Sequence, residues 1–229
     1  MRPGSAAALL PCVVLIATAA GAVGAAASAA PAGADNAAPY LRLDVRLATS
    51  EHLSPVARAS LIREVDGIWR REGVRVQWQV GSVGVERPAY ALRVLVVQRE
   101  SPTNNTRHKW PVGELLRDQA DNSVAVVSID AAARVLAVAA RSDEPTALLE
   151  RRLGMVLGRA VAHEIGHYLL DTPGHSRQGL MRAHIDAHDF VDLRTGAFFL
   201  DDTAGRWIRE RLSQGASTEP RLARFAYAR

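Results

Sequence analysis

The sequence encodes an α+β domain built on one mixed β-sheet. Three features say so. Short segments alternate apolar and polar residues with period two, longer stretches carry apolar residues near helical spacing, and the order runs strand, helix, strands, helix, loop, helix. The 229 residues are enough for one domain with a sizeable core plus a leader. Aromatic residues make up only 5%, so Ala, Val and Leu must supply most of that core.

Residues 41–48 (LRLDVRLA) alternate cleanly and read as the first strand. Ser54-Pro55 is a helix start, an N-cap followed by proline at the first helical position. Val56, Ala59, Leu61, Ile62, Val65, Ile68 and Trp69 then recur near helical spacing up to Gly73. Residues 74–80 (VRVQWQV) are a second strand and 81–88 a turn region. Residues 90–97 form a third strand, whose partly continuous apolar run suits a central position. A polar stretch, 98–122, has room for an edge strand; 123–129 (SVAVVSI) is a further strand, and 131–140 fits helix or strand equally. A long helix spans about 145–170, started by Glu144-Pro145 and stopped by Asp171-Thr172-Pro173-Gly174. A histidine-rich irregular segment follows, then a last helix over 202–212 with Ile208 and Leu212 at i, i+4.

The N-terminus has the layout of a cleaved secretory signal peptide. Arg2 opens it, an apolar run covers about 6–20, and a small-residue stretch at 21–30 contains A-x-A-like sites such as Ala27-Ser28-Ala29. The run is short, is interrupted by Pro11 and lacks a stop-transfer flank, so no membrane anchor is expected after cleavage. The organisation read from the sequence is therefore a leader at 1–30, an Ala/Pro-rich linker at 31–39 and one folded domain at 40–229. The expected location is extracytoplasmic, periplasmic or secreted, and the expected state is a monomer. The first strand follows the leader at once, so no folded propeptide and no large activation cut are expected. The sole cysteine, Cys12, lies in the leader, so disulfides, thiolate zinc ligands and a thiol nucleophile are excluded from the mature chain.

The formal net charge is +4, which raises the question of nucleic acid or an anionic membrane surface. The pattern answers against both. Lys109 is the sole lysine, and the arginines are dispersed among Asp and Glu instead of forming a stripe.

The chemistry concentrates late in the long helix. His163-Glu164-Ile165-Gly166-His167 fits H-E-x-x-H, which sets two imidazoles one turn apart on one helical face, where both can bind one tetrahedral Zn²⁺. Glu164 projects beside that face, placed to take a proton from a zinc-activated water and hand it to a leaving amine. Five of the seven histidines fall between 163 and 188. The surrounding helix is mostly apolar (Leu153, Val156, Leu157, Val161, Leu169, Leu170), and buried polar groups there need partners. A zinc peptidase needs a third protein ligand and one open position. His175 is the first choice because the chain breaks just before it and Gly174 permits a positive φ. His184, Asp186 and His188 are the rivals. Met181, in the small apolar island Gly179-Leu180-Met181, can lay a polarizable floor under the histidines. His108, Lys109 and Trp110 read as a solvated loop, with a place on the cleft border as the alternative.

With His163-Glu164-x-x-His167, a histidine after a glycine and a following methionine, the chain resembles the metzincin clan of zinc peptidases. The resemblance implies a metzincin-like fold: a mixed twisted sheet, a long active-site helix and a small C-terminal helical subdomain. It also implies that Met181 is the Met-turn residue and that an edge strand above the cleft binds extended peptide. The clan's pattern is H-E-x-x-H-x-x-G-x-x-H; here Leu170 and Pro173 hold its glycine and third-histidine positions, so reaching His175 requires a longer turn. No tyrosine follows Met181 closely, so a tyrosine ligand is not expected. A carboxylate third ligand on a later helix would have to be Glu210, which no motif supports.

The leading function is thus an exported zinc endopeptidase acting on peptide or protein. A non-catalytic, metal-holding binding module is the alternative, against which Glu164 argues, because holding zinc does not require it.

Overall fold

The structure is a computed structural model that describes residues 40–50, 53–80, 91–98, 112–117, 123–139, 143–192 and 195–213. All of them belong to the unit Ala38–Arg229. The leader with Cys12, the linker and the segment His108-Lys109-Trp110 lie outside the described residues.

The elements run β1 (Leu41–Thr49), α1 (Pro55–Arg71), β2 (Val74–Val80), β3 (Ala91–Val97), β4 (Gly113–Arg117), β5 (Ser123–Ser128), α2 (Ile129–Ala139), α3 (Thr146–Leu170), α4 (Ala187–Val191) and α5 (Asp202–Ser213). The sheet order is β2-β1-β3-β5-β4. The β1/β2, β1/β3 and β3/β5 pairs are parallel, whereas β4 pairs antiparallel with β5 at the edge. The fold is therefore α+β on one mixed five-stranded sheet, with β3 in the middle. The hidden edge strand is real and is β4. The ambiguous segment after β5 is helix α2, whose Ile129, Ala132 and Leu136 are buried at helical spacing. The Ser128 hydroxyl accepts the Ala131 N–H at its start.

Alternation along the strands sets which face is apolar. Leu43, Val45 and Leu47 of β1 and Leu92, Val94 and Val96 of β3 are buried, at period two. Helix α1 begins as expected: the Ser54 side chain accepts the Ala57 N–H at 3.1 Å, with Pro55 next. It ends at Gly73, whose φ is 76°. Its inner face is Ala57, Ser60, Leu61, Val65, Ile68 and Trp69. Val56 and Ala59, counted as inner-face positions from their spacing, are exposed; Ser60 is buried instead, and its hydroxyl donates to the Arg151 carbonyl at 2.7 Å.

Helices α1 and α3 pack unusually close. A Cβ on Gly154 would collide with the Ala57 carbonyl and stand 2.7 Å from Ser60 Cβ. One on Gly158 would stand 2.8 Å from both the Leu61 carbonyl oxygen and Glu64 Cβ. Two glycines one turn apart let the backbones touch, and this seats α3 deep in the core. From Gly154 to Leu170 nearly every residue of α3 is buried, so the H-E-x-x-H motif lies on a helix with little freedom to move.

Arg159, fully buried on α3, connects three parts of the molecule. Its Nε donates to Glu64 of α1 at 2.8 Å, and Nη1 donates to the carbonyls of Asp189 and Phe190 at 3.1 and 2.8 Å. Its guanidinium lies 4.3 Å from the Phe198 ring centroid. The region after α3 is held this way. Among the described residues it comprises α4, a 3₁₀ turn at Thr195–Ala197 and α5. Among the described residues, no helix is long and apolar enough to cross a membrane.

Candidate metal centre

His163 and His167 stand one turn apart on α3, and their Nε2 atoms are 3.0 Å apart. Each ring is fixed from behind. His163 Nδ1 lies 2.7 Å from the Leu180 carbonyl, and His167 Nδ1 lies 2.7 Å from the Thr172 carbonyl. A carbonyl can only accept, so each Nδ1 carries the proton and each Nε2 presents a lone pair. Two lone pairs facing one another at this range repel, and a shared cation relieves the repulsion. Two nitrogens each about 2.0–2.1 Å from a tetrahedral zinc stand a little over 3 Å apart, close to the spacing found.

One of the third-ligand candidates lies beside the pair. His175 brings a ring nitrogen into the group, and the ligand atoms of His163, His167 and His175 all lie within 4.8 Å of one another. Its ring centroid is 4.8 Å from that of His167 and 5.4 Å from that of His163. Asp186 is otherwise engaged, because it caps α4 by accepting the His188 N–H at 2.8 Å. His184, His188 and Glu210 are exposed and outside the group. His184 still lies close enough to His175 to disfavour its protonation, after the larger effect of burial. Burial, followed by the neighbouring His167, holds His163 down to about 4. Burial is also the main cause of the lowered His167 value. All three imidazoles thus favour the neutral form that a metal requires.

The turn that delivers His175 is not the one expected. Gly174 does not adopt a positive φ; Asp171 does, at φ 47° and ψ 43°. A non-glycine residue in this left-handed conformation costs on the order of 1–2 kcal/mol, and Asp is among the few that tolerate it. Here Asp171 is held from outside the turn. Arg117, the last residue of β4, donates through Nη1 to the Asp171 carboxylate and through Nη2 to the His167 carbonyl at 2.7 Å. The turn then brings the Thr172 carbonyl onto His167 Nδ1, while the Thr172 hydroxyl accepts the Gly174 N–H at 3.0 Å.

Glu164 is 5% exposed and faces the edge strand. A Cβ on Gly113 would sit 2.9 Å from Glu164 Oε1, so a larger residue there would push the carboxylate aside. Burial, then the charge of Glu114, pushes the Glu164 carboxyl up to about 8, while a hydrogen bond from the Leu115 N–H pulls the other way. Met181 is buried beneath the motif. A Cβ on Gly166 would lie well inside contact distance of Met181 Sδ and 3.0 Å from its Cε. The thioether therefore rests on the bare backbone between the two histidines. The Met181 segment is pinned by Ser176 N–H donating to the Met181 carbonyl at 2.8 Å and Leu180 N–H to the Phe199 carbonyl at 2.6 Å.

All five residues singled out in the sequence, His163, Glu164, His167, His175 and Met181, converge on one place. Gly113, Arg117, Gly166 and Asp171 were not singled out. Gly166 was legible as a glycine inside a buried helix. The others show their importance only through contacts with residues far away in the chain.

No family profile and no curated protein matches the chain. Among solved structures it is similar to the crystal structure of archaemetzincin from Methanopyrus kandleri, with 13% sequence identity over 76% of this chain and 97% of that one, at a TM-score of 0.47.

Proposed function

We propose that this chain is an exported zinc-dependent peptidase in which His163, His167 and His175 hold the metal and Glu164 is the general base. The carrying observation is the convergence of three imidazole nitrogens on a helix that also bears a buried carboxylate next to the first of them. The donor set fits zinc: three neutral nitrogens, two with their tautomer fixed by backbone carbonyls, and three protein ligands among the described residues. Zinc held there supplies Lewis acidity, which brings the pKa of a water toward neutrality and polarises a peptide carbonyl.

The protein's own groups do the rest. Glu164 accepts the proton of the attacking water and delivers it to the leaving amine. A nearby cation favours its ionised form against the effect of burial. The Leu115 N–H holds the carboxylate in place, and the wall of β4 against it limits solvent access. As an edge strand, β4 offers extended peptide a main-chain partner. Met181 lays an apolar floor that keeps the histidine end of α3 dry. The metzincin resemblance supports the same assignment, with His175 reached by a turn two residues longer than the clan's pattern. Export rests on the leader, and the substrate is a peptide or protein.

The test is metal content and peptidase activity of the purified mature chain. About one zinc per chain, sharply reduced in His167→Ala and in His175→Ala, is the expected result. Glu164→Gln should keep the metal and lose turnover. A wild type that takes up no zinc after reloading would sink the reading, and a Glu164→Gln protein with undiminished function would favour the non-catalytic module.

A further inference from the structure

We infer that Arg117 and Asp171 form a positioning pair that sets the geometry of the metal site from the edge strand. The inference rests on the metal-binding reading above and adds to it two residues outside the three-histidine group.

Three observations carry it. Asp171 is the only non-glycine residue with positive φ among the described residues, and it sits directly after the last helical residue of α3. Its carboxylate is bound by Arg117, which is 54 positions earlier in the chain, and the same guanidinium binds the carbonyl of the ligand candidate His167 at 2.7 Å. The left-handed residue has two consequences at once. It turns the chain so that the Thr172 carbonyl meets His167 Nδ1 at 2.7 Å, which fixes that ring's tautomer, and it sends the next residues back to place His175 in the group. Where a left-handed helix end is usually a glycine that needs no help, this one uses an aspartate held by a forked cation. A planar guanidinium can bind carboxylate and carbonyl together in fixed geometry, which a lysine cannot do. The pair also joins the strand that packs against Glu164 to the loop that carries His175.

The test is metal affinity, read by chelator competition on metal-stripped mature protein, with the visible spectrum of the Co²⁺-loaded form as a readout of coordination. Arg117→Met and Asp171→Ala should each weaken zinc binding by roughly 10- to 100-fold, the range for partners that orient ligands, and alter the cobalt spectrum. Asp171→Gly should recover most of the affinity lost in Asp171→Ala, because glycine enters the left-handed region without support. In the Asp171→Gly background, Arg117→Met should cost less than it does alone. Melting of the metal-free proteins separates stability from positioning. Lower melting temperatures with unchanged affinity and spectrum would reduce the pair to a structural tie and overturn the inference, as would equal affinities for Asp171→Ala and Asp171→Gly. Should Arg117→Met fail to fold, the Ala/Gly comparison at 171 decides alone. A wild type that binds neither zinc nor cobalt brings down the metal reading and this inference together, an outcome distinct from a metal-binding wild type whose variants match it.

Discussion

Gly166→Ala isolates the contact between the motif helix and Met181. Two opposed effects act at this position. Alanine is the better helix former, by about 1 kcal/mol in a helix interior. Against that, the new methyl would meet Met181 Sδ well inside contact distance and Cε at 3.0 Å, where ordinary contact begins at 3.4 Å. Met181 is 1% exposed, so its thioether cannot swing into solvent and must retreat by roughly 1 Å into a filled core. Overpacking of this kind costs about 1–3 kcal/mol, so the clash should win and leave a net loss of up to about 2 kcal/mol. For a domain of this size that lowers the melting temperature by several degrees, at about 2–4 °C per kcal/mol. The displaced sulfur should also loosen the floor beneath His163 and His167 and weaken zinc binding. Gly67→Ala is the internal control: Gly67 lies within α1, with nothing within 4 Å of the added methyl, so only the propensity gain remains and stability should rise by about 0.5–1 kcal/mol. The assay is thermal or urea unfolding of both variants beside metal affinity. A Gly166→Ala protein as stable as Gly67→Ala, with wild-type zinc affinity, would refute the close-packed floor.

Three further outcomes follow from the same structure. Arg159→Ala leaves Glu64 without its buried partner and frees two carbonyls of α4, so it should destabilise by about 3–5 kcal/mol in urea unfolding; Arg159→Met with Glu64→Gln should cost clearly less. Asp66 has its pKa raised, chiefly by burial and partly offset by the Trp78 Nε1–H it accepts at 2.9 Å. A carboxyl with a raised folded pKa favours the folded state most below its unfolded pKa and loses that contribution as pH rises through the folded value. Asp66→Asn, which keeps the acceptor for Trp78, should therefore compare best with wild type at neutral pH and worse as pH falls below about 4; melting curves that stay parallel across that range would contradict it. His184→Ala should leave zinc stoichiometry unchanged, because His184 is outside the three-histidine group; metal lost in that variant would reopen the choice of third ligand.

Much of this fold was legible in local pattern. Strands β1 and β2 showed as clean alternation, and α1 showed through Ser54-Pro55 at one end and Gly73 at the other, because caps and periodicity involve residues adjacent in the chain. The edge strand β4 was seen only as room for a strand. Its Gly-Glu-Leu-Leu-Arg sequence is short and mixed, and what stabilises it is pairing with β5. Helix α2 was ambiguous because a short Ala- and Val-rich run satisfies both periods, and packing against α3 and α4 resolved it. Intrinsic preference permits the left-handed turn at Gly174, whereas Asp171 adopts it, with Arg117 bound to its carboxylate.

The sequence by itself determined that two histidines share one face of a buried helix with a glutamate beside that face, because four residues make just over one α-helical turn. It also determined the alternation that gives the sheet its apolar face. Only the tertiary structure decided that His175, and not His184, Asp186 or His188, joins the pair, that Gly113 brings the edge strand onto Glu164, and that Gly166 admits the Met181 sulfur. Each of these depends on where a distant segment of backbone passes. That path is set by long-range contacts such as Arg117 with Asp171 and Arg159 with Glu64, which no local period in the sequence encodes.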